Sequence, residues 1–442
     1  CSASPRRDES TQHSLMDYLR PLLALSFMLL VLWAVSESRK RIDWKLVAKG
    51  LGIQLVLAYA VLEVGWVSNL FDVVGRGFVS LLSFSREGAD FLFGGLGTAD
   101  GGFGFIFAFQ ILPTIIFFSA ITSVLFHFGI LQRVVAVFAW LMKRSLKLSG
   151  AESVALAANV FVGQTEAPLM IKPYIAKMTR SELLCLMTGG MATIAGAVLA
   201  TYISYLGGGD PESQAFYAKH FLAASVMNAP AAIVAAKILV PEKETVADTA
   251  DVVMDKQSNW LEAVSTGTSD GLKMAVNVGV MLLVFTALVA LVNGILGGGL
   301  GQLFGINEWL SDMTGGRYES LSLEAIFGLV LAPLTWLMGV PWAEATAVGQ
   351  LLGIKTSLNE FYAYVSMKDL MANGQIVSEK AKILSVYILC GFANFASIGI
   401  QVGGIGSLAP SRRKDLASLG FKALLAGTIA SLFTATIVSL IL

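Results

Sequence analysis

Charge is scarce in this chain of 442 residues. Asp, Glu, Lys and Arg make up 14% of it, against about 25% in soluble domains. Reactive side chains are scarce too. His13, His127 and His220 stand far apart, which argues against a histidine metal cluster or a hydrolytic triad. Cys1, Cys185 and Cys390 lack metal or redox spacing, and the last two fall in apolar runs, as packing residues would. No Gly-Lys-Ser or Gly-Lys-Thr occurs, so no phosphate-binding loop and no ATP motor is indicated. No Ser–His pair, aspartate dyad or zinc motif supports an intramembrane hydrolase, and the reading is that the chain is not an enzyme and holds no cofactor. Acidic and basic residues balance at 31 each, so nucleic acid is not an implied partner.

What the chain has in excess is apolar sequence: 55% of residues are hydrophobic and the mean hydropathy is +0.70. It reads as an all-α polytopic membrane protein. Residues 1–15 are polar without a signal-peptide pattern and read as a tail outside the fold, with Met16 a candidate start. Leu19 to Ser36 is a first span. The basic cluster after it, Arg39, Lys40, Arg41, Lys45 and Lys49, places that loop in the cytoplasm. Leu46 to Val67 returns. Asp72 to Phe93 and Gln132 to Lys147 mix charges with aromatic residues and read as interfacial helices. Phe105 to Phe128, kinked at Pro113, is a third span. Further spans are expected at Ser181–Leu206, Phe221–Val240, Leu272–Leu296, Ile383–Leu408 and Leu419–Leu442. That gives about eight, with both termini outside. Pro241 to Asp270 is the one long hydrophilic linker, and Leu321 to Leu337, interrupted by Pro333, reads as an interfacial helix or a tilted partial span.

The organising stretch is Asn159 to Pro173. An apolar run enters it, breaks into Gly163, Gln164, Thr165, Glu166 and Pro168, and a second apolar run leaves. Each arm is about 18 Å long as helix, too short for a hydrocarbon core of about 30 Å. The reading is a re-entrant hairpin whose polar tip lies near the midplane, where such backbone must be buried in protein or line a wet cavity. An intramembrane carboxylate such as Glu166 marks a functional site. Val340 to Tyr364 is a second broken element, with Lys355, Thr356, Asn359 and Glu360 at its break. Each hairpin is followed by a span with a small-residue centre, Gly190-Met191-Ala192-Thr193 and Gly391-Phe392-Ala393-Asn394. Two such units entering from opposite faces form an inverted repeat, the organisation of secondary transporters.

The longer motifs are more specific. Gly163-Gln164-Thr165-Glu166-Ala167-Pro168, then Met178-Thr179-Arg180-Ser181-Glu182-Leu183 and Met187-Thr188-Gly189-Gly190, resemble the concentrative nucleoside transporters. So do Gly353-Ile354-Lys355-Thr356 with Asn359-Glu360-Phe361, and Cys390-Gly391-Phe392-Ala393-Asn394-Phe395 through Ser397. The resemblance covers nearly the whole chain from about Leu19. It implies a homotrimer in the inner membrane that imports nucleosides with sodium, or in some members with protons. Carried over motif by motif, the base-facing residues would be Gln164, Thr165 and Glu166. The sugar-facing residues would be Glu360, Asn394 and Ser397, with Phe392 packing nearby. The sodium ligands would be Asn159, the Val162 carbonyl, Thr193 and the Ile194 carbonyl.

The chemistry agrees with that assignment. A glutamine both donates and accepts, which suits a base edge, and a carboxylate matches vicinal hydroxyls. Asn394 and Ser397 share a face if the helix persists between them. A passive channel would not need two broken hairpins converging on one site. The expected layout is a scaffold at 16–147, a first hairpin and transport repeat at 148–240, a linker at 241–271, a scaffold span at 272–317, and a second hairpin and transport repeat at 318–442.

Overall fold

The computed structural model describes residues 15–97, 103–244 and 259–442. The expected polar tail lies outside these except for Leu15, as do residues 245–258 of the hydrophilic linker. Six helices come first: α1 (Leu15–Val35), α2 (Trp44–Glu63), α3 (Gly65–Phe93), the short α4 (Phe107–Gln110), α5 (Leu112–His127) and α6 (Ile130–Leu146). Starts and stops follow local chemistry. Asp43 caps α2 by accepting from the Lys45 and Leu46 amides at 2.9 and 3.1 Å, which satisfies two amides that the first turn leaves without partners. Lys147, with φ 55°, ends α6 in the left-handed region.

The first repeat comprises α7 (Gly150–Asn159), α8 (Lys172–Ile175), α9 (Arg180–Ala192), α10 (Gly196–Gly207) and α11 (Pro211–Leu239). A long α12 (Trp260–Asn293) follows and continues as a π-helical stretch, Gly294–Gly301; α13 (Ile306–Thr314) and α14 (Leu323–Leu337) come after it. The second repeat is α15 (Trp342–Ser357), α16 (Glu360–Ala372), α17 (Glu379–Leu389), α18 (Phe395–Leu408) and α19 (Arg413–Ser439). The two units use matching devices. Ser149 and Thr179 form capping boxes with Glu152 and Glu182 at the starts of α7 and α9. Ser378 caps α17 and donates through both its amide and its hydroxyl to Glu344 on α15, at 3.0 and 2.8 Å. At the base of the first hairpin, Lys237 of α11 pairs with the buried Glu152 at 2.6 Å.

Burial separates an inner bundle from an outer shell. The apolar stretch over α9 and α10 is 94% buried, whereas those of α3 and α12 are each 11% buried. Helices α9, α11 and α19 pack together at the centre. Ala223, Ala224, Ala229, Ala231, Ala232 and Ala236 of α11 are all fully enclosed, and their small size lets the backbones approach closely. The outer helices carry Val56, Tyr59, Leu283 and Leu291 exposed. Such a surface is at home against lipid tails, which are as apolar as leucine.

Among the described residues, eight helices are long and apolar enough to cross a membrane. The number agrees with the sequence reading, but the membership differs. Gly65–Leu96 qualifies as one long helix, beginning seven residues before the expected interfacial segment. Ile383–Leu408 does not, because it is split between α17 and α18. Three further boundaries move. Helix α12 begins at Trp260, so the residues to Asp270 expected in the linker are helical; Asn259 caps it by accepting from the Glu262 amide at 2.9 Å. Beyond the expected end of the second broken element at Tyr364, α16 continues to Ala372, and α17 starts at Glu379. Pro113 stands at the first turn of α5 rather than inside a longer helix, where a missing N–H costs nothing. Helix α14 is not isolated: it turns through 118° into α15 and packs along it.

Candidate functional site

The first hairpin loses its helix at Asn159. Turns at Phe161 and Val162 return to the Ala158 carbonyl, and the Glu166 and Ala167 amides donate to the Gly163 carbonyl. Pro168 then begins a short 3-10 turn, Ala167–Ile171. A Cβ on Gly163 would lie 2.1 Å from Glu166 Oε2, so only glycine lets Glu166 fold back over the tip. In the second hairpin the break is two residues long. Leu358 leaves the helical region and Asn359 caps α16, accepting from the Tyr362 amide at 2.8 Å. Glu360 therefore opens α16 at its N-terminal end, where amide dipoles favour a carboxylate.

Both following helices are unwound at the same level. Helix α9 stops at Ala192 and α10 starts at Gly196, whose amide donates to the Phe161 carbonyl of the first hairpin at 3.1 Å. Helix α17 stops at Leu389 and α18 starts at Phe395. Between them Gly391 has φ 110°, and a Cβ there would stand 2.5 Å from the Ala192 carbonyl oxygen. The two breaks thus touch, and glycine is required both by its backbone angle and by the contact. The Asn228 side chain, from α11, ties them by donating to Ala192 O at 2.7 Å and to Cys390 O at 3.5 Å.

A cavity of about 440 Å³ lies where these four segments meet. Gln164, Thr165, Glu166, Glu360, Phe392, Asn394 and Ser397, all seven residues expected there, line it. Four of them, Gln164, Glu360, Asn394 and Ser397, are joined in one network. Tyr202 donates to Glu360 Oε1 at 2.9 Å and Asn394 Nδ2 donates to Oε2 at 3.0 Å. Gln164 Nε2 donates to Ser397 Oγ at 3.2 Å. The helix does not persist between Asn394 and Ser397. Asn394 is instead the cap of α18 and accepts from the Ser397 amide at 2.9 Å, which brings the two side chains together by a different route.

The four residues expected to hold sodium are split between the first hairpin and the first break. Asn159 ends α7 and is buried, with neither side-chain amide atom partnered among the described residues. Thr193 donates to the Gly189 carbonyl at 2.8 Å, which leaves its oxygen lone pairs free. Val162 and Ile194 are buried in the two unwound segments.

Five residues were not foreseen. Tyr202 holds Glu360. Gln401 donates to Gln164 Oε1 and to the Met187 carbonyl, both at 3.0 Å. Asp270, Lys273 and Asn277 of α12 form part of the cavity wall. The last set had a signal: polar residues at spacings of three and four in an otherwise apolar run share one helix face. A second cavity, about 550 Å³, adjoins the first through Gly163, Glu166 and Asp270 and extends past His127, Gln132 and Lys172.

Paired re-entrant hairpins and paired broken helices around a shared cavity define a secondary transporter. Comparison with known proteins specifies which kind. The chain belongs to the Na⁺-dependent nucleoside transporter family, the concentrative nucleoside transporters: residues 23–96 match the family's N-terminal model, 108–209 a "Nucleoside recognition" gate model, and 220–439 the C-terminal model. It is 42% identical to an uncharacterized transporter of Haemophilus influenzae, over 96% of this chain and 98% of that one. It is 36% identical to the nucleoside permease NupC of Helicobacter pylori, over 95% and 96%. A solved structure of CNTnw in an inward-facing substrate-bound state superposes with a TM-score of 0.86 at 38% identity, covering 96% of this chain and 99% of that one.

Proposed function

We propose that this protein imports nucleosides, uridine-like ones among them, by alternating access, and that entry is driven by sodium moving down its gradient. The observation that carries this reading is the convergence of seven polar and aromatic residues, from two hairpin tips and the second helix break, on one cavity. Nucleosides are neutral and polar, so their site needs matched donors and acceptors rather than net charge. Gln164, Thr165 and Glu166 offer these to the base. Glu360, Asn394 and Ser397 offer them to the sugar, with Phe392 against its apolar side. Gln401 fixes the Gln164 amide, and Tyr202 fixes the Glu360 carboxylate.

Sodium is a co-transported substrate in this reading, held by Asn159, the Val162 carbonyl, Thr193 and the Ile194 carbonyl. Support comes from the partnerless Asn159 amide, since an unsatisfied buried polar group costs about 1–3 kcal/mol. A hard cation accepts amide, hydroxyl and carbonyl oxygens alike. Because these ligands bridge the first hairpin and the first break, an ion there would tie the two together and shape the neighbouring Gln164–Glu166 tip. The inner bundle with its hairpins would be the moving part and the outer helices the scaffold, assembled as a homotrimer in the inner membrane with both termini outside.

The test is uptake of labelled uridine into proteoliposomes under an inward sodium gradient. Accumulation above equilibrium with sodium, and its loss when choline replaces sodium at fixed pH, is the expected result. Undiminished accumulation in choline would replace sodium with a proton carried by Glu166 or Glu360.

A further inference from the structure

Lys355 does not line the cavity just described, yet it is fully buried in the second hairpin, where its charge also acts on the site carboxylate Glu360. Its ammonium donates to the carbonyl oxygens of Ile388 at 2.9 Å and Cys390 at 3.3 Å, and to the hydroxyl of Ser431 at 3.0 Å. Among the described residues no carboxylate pairs with it. Three oxygen acceptors match the three N–H donors of an ammonium; a neutral amine would turn a lone pair toward one of them. Two of these oxygens are at the C-terminal end of α17, where carbonyls lose their helical partners and the helix dipole favours a cation.

The position matters because of the repeat. In the first unit, the first arm of the hairpin ends at Asn159, beside the unwound segment after α9. There the side-chain oxygens of Asn159 and Asn228 have no partner among the described residues. In the second unit, the first arm of the hairpin carries Lys355 into the unwound segment after α17. There Ser431, on α19, the last helix of the second repeat, accepts from Lys355, as Asn228 lies on α11, the last helix of the first. One repeat offers oxygens without donors; the other has its oxygens filled by a side chain.

From this pairing we infer that the second repeat contains a monovalent-cation site occupied permanently by the Lys355 ammonium, a tethered counterpart of the coupling ion that leaves the first repeat as the only place for a mobile cation. A covalent occupant cannot dissociate, so it holds the second break, with Phe392 and Asn394, in shape throughout the cycle. The mobile ion in the first repeat makes the other half of the site conditional on sodium. The inference rests on the inverted repeat and on the cation-coupled reading.

The experiment uses the full-length protein in proteoliposomes, with Lys355→Ala, Lys355→Met and Lys355→Arg beside the wild type. Lys355→Ala opens a small site lined by the three oxygens. Its uridine uptake should fall about tenfold, equivalent to ~1.4 kcal/mol, recover when methylammonium or ammonium is added, and depend more steeply on sodium than wild type. Lys355→Met fills the space with an uncharged chain and should not be rescued by either cation. Lys355→Arg should retain more uptake than Lys355→Met. Equal response of the Ala and Met variants to ammonium, each folded and inserted, would overturn the inference. So would Lys355→Met transporting as wild type does.

Wild-type charge per nucleoside, read from reversal potentials, guards against variants that fail to fold. One net charge is expected; two would show a second mobile cation and overturn the inference. Loss of sodium dependence in wild type would instead sink the sodium reading, while ammonium rescue would still report on Lys355.

Discussion

The Tyr202 hydroxyl donates to Glu360 Oε1 at 2.9 Å, bridging the helix after the first break to the tip of the second hairpin. A carboxylate buried in a membrane protein is costly unless its oxygens receive hydrogen bonds. Here Tyr202 supplies one and Asn394 supplies another, so Glu360 is one of the side chains through which the two repeats are joined. An arriving ribose would meet a carboxylate already fixed in direction.

Tyr202→Phe tests that fixation without removing the carboxylate. A hydrogen bond to a charged group contributes about 1.5–3 kcal/mol, so the KM for uridine should rise roughly tenfold or more. Initial-rate kinetics in proteoliposomes would show it. An unchanged KM would mean that Asn394 alone holds Glu360.

Asn159→Ala removes the buried amide that has no partner among the described residues. Its expected effect is specific: the sodium concentration for half-maximal uptake should rise about tenfold or more, the effect typical of losing support for a bound ion. Uptake at saturating sodium should suffer less. A fall in maximal rate with unaltered sodium dependence would place the ion elsewhere.

Orientation can be read by labelling. Lys177, after the first hairpin, and Asn373, after α16, are both exposed. In a cysteine-free background, single cysteines at these positions should react with an impermeant thiol reagent from opposite faces of the membrane. Reaction of both from one face would refute the assigned orientation of the repeats.

Hydropathy and punctuation carried much of the architecture. Gly163 and Pro168 in one run, and the Lys355-to-Glu360 polar interruption in another, were enough to place both hairpins, because a polar break inside apolar sequence has few other physical solutions in a bilayer. Less legible was anything set by partners distant in sequence. Tyr202 and Gln401 look like ordinary residues of apolar helices. Their roles come from bonds spanning 158 and 237 positions. Asn394 and Ser397 were correctly associated through a helical spacing, yet the structure joins them by a cap. The split of 383–408 was hinted at by its small residues, but how far the unwinding goes depends on Gly391 meeting Ala192. Helix α3 starts earlier than its charges suggested, at Gly65 rather than Asp72, because Gly65 to Phe71 continue the same helix.

Gly391→Ala probes the contact between the two breaks. The new Cβ would lie 2.5 Å from the Ala192 carbonyl oxygen, on a backbone at φ 110°. Strain of this kind costs on the order of 1–3 kcal/mol. The variant should melt several degrees lower in detergent, as is usual for a destabilisation of this size. Gly374→Ala, also at positive φ but in open space, is the control and should be less harmful. Equal melting of the two variants would show that the contact adds nothing beyond the backbone angle.

The sugar gives the sharpest test. Glu360 is 6% exposed and held by two donors, and it lines the cavity together with Asn394 and Ser397. A carboxylate so fixed can accept from vicinal hydroxyls with its remaining lone pairs. A site built to bond a hydroxyl rejects an analogue that lacks it, by up to roughly 10⁴-fold, because its polar groups are then left unpaired. Tyr202 and Asn394 keep Glu360 partly satisfied, so the penalty should be smaller, on the order of 10- to 100-fold, or about 1.4 to 2.8 kcal/mol. Uridine should therefore compete well against labelled uridine, 2′,3′-dideoxyuridine poorly, and free uracil hardly at all. Glu360→Ala strands the Tyr202 and Asn394 donors as well as removing the acceptor. It should abolish most uptake while the protein remains folded and inserted, as size-exclusion chromatography would report. Equal competition by uridine and its dideoxy analogue in the wild type would remove Glu360 from the sugar site and leave its two donors as a purely structural clasp between the repeats.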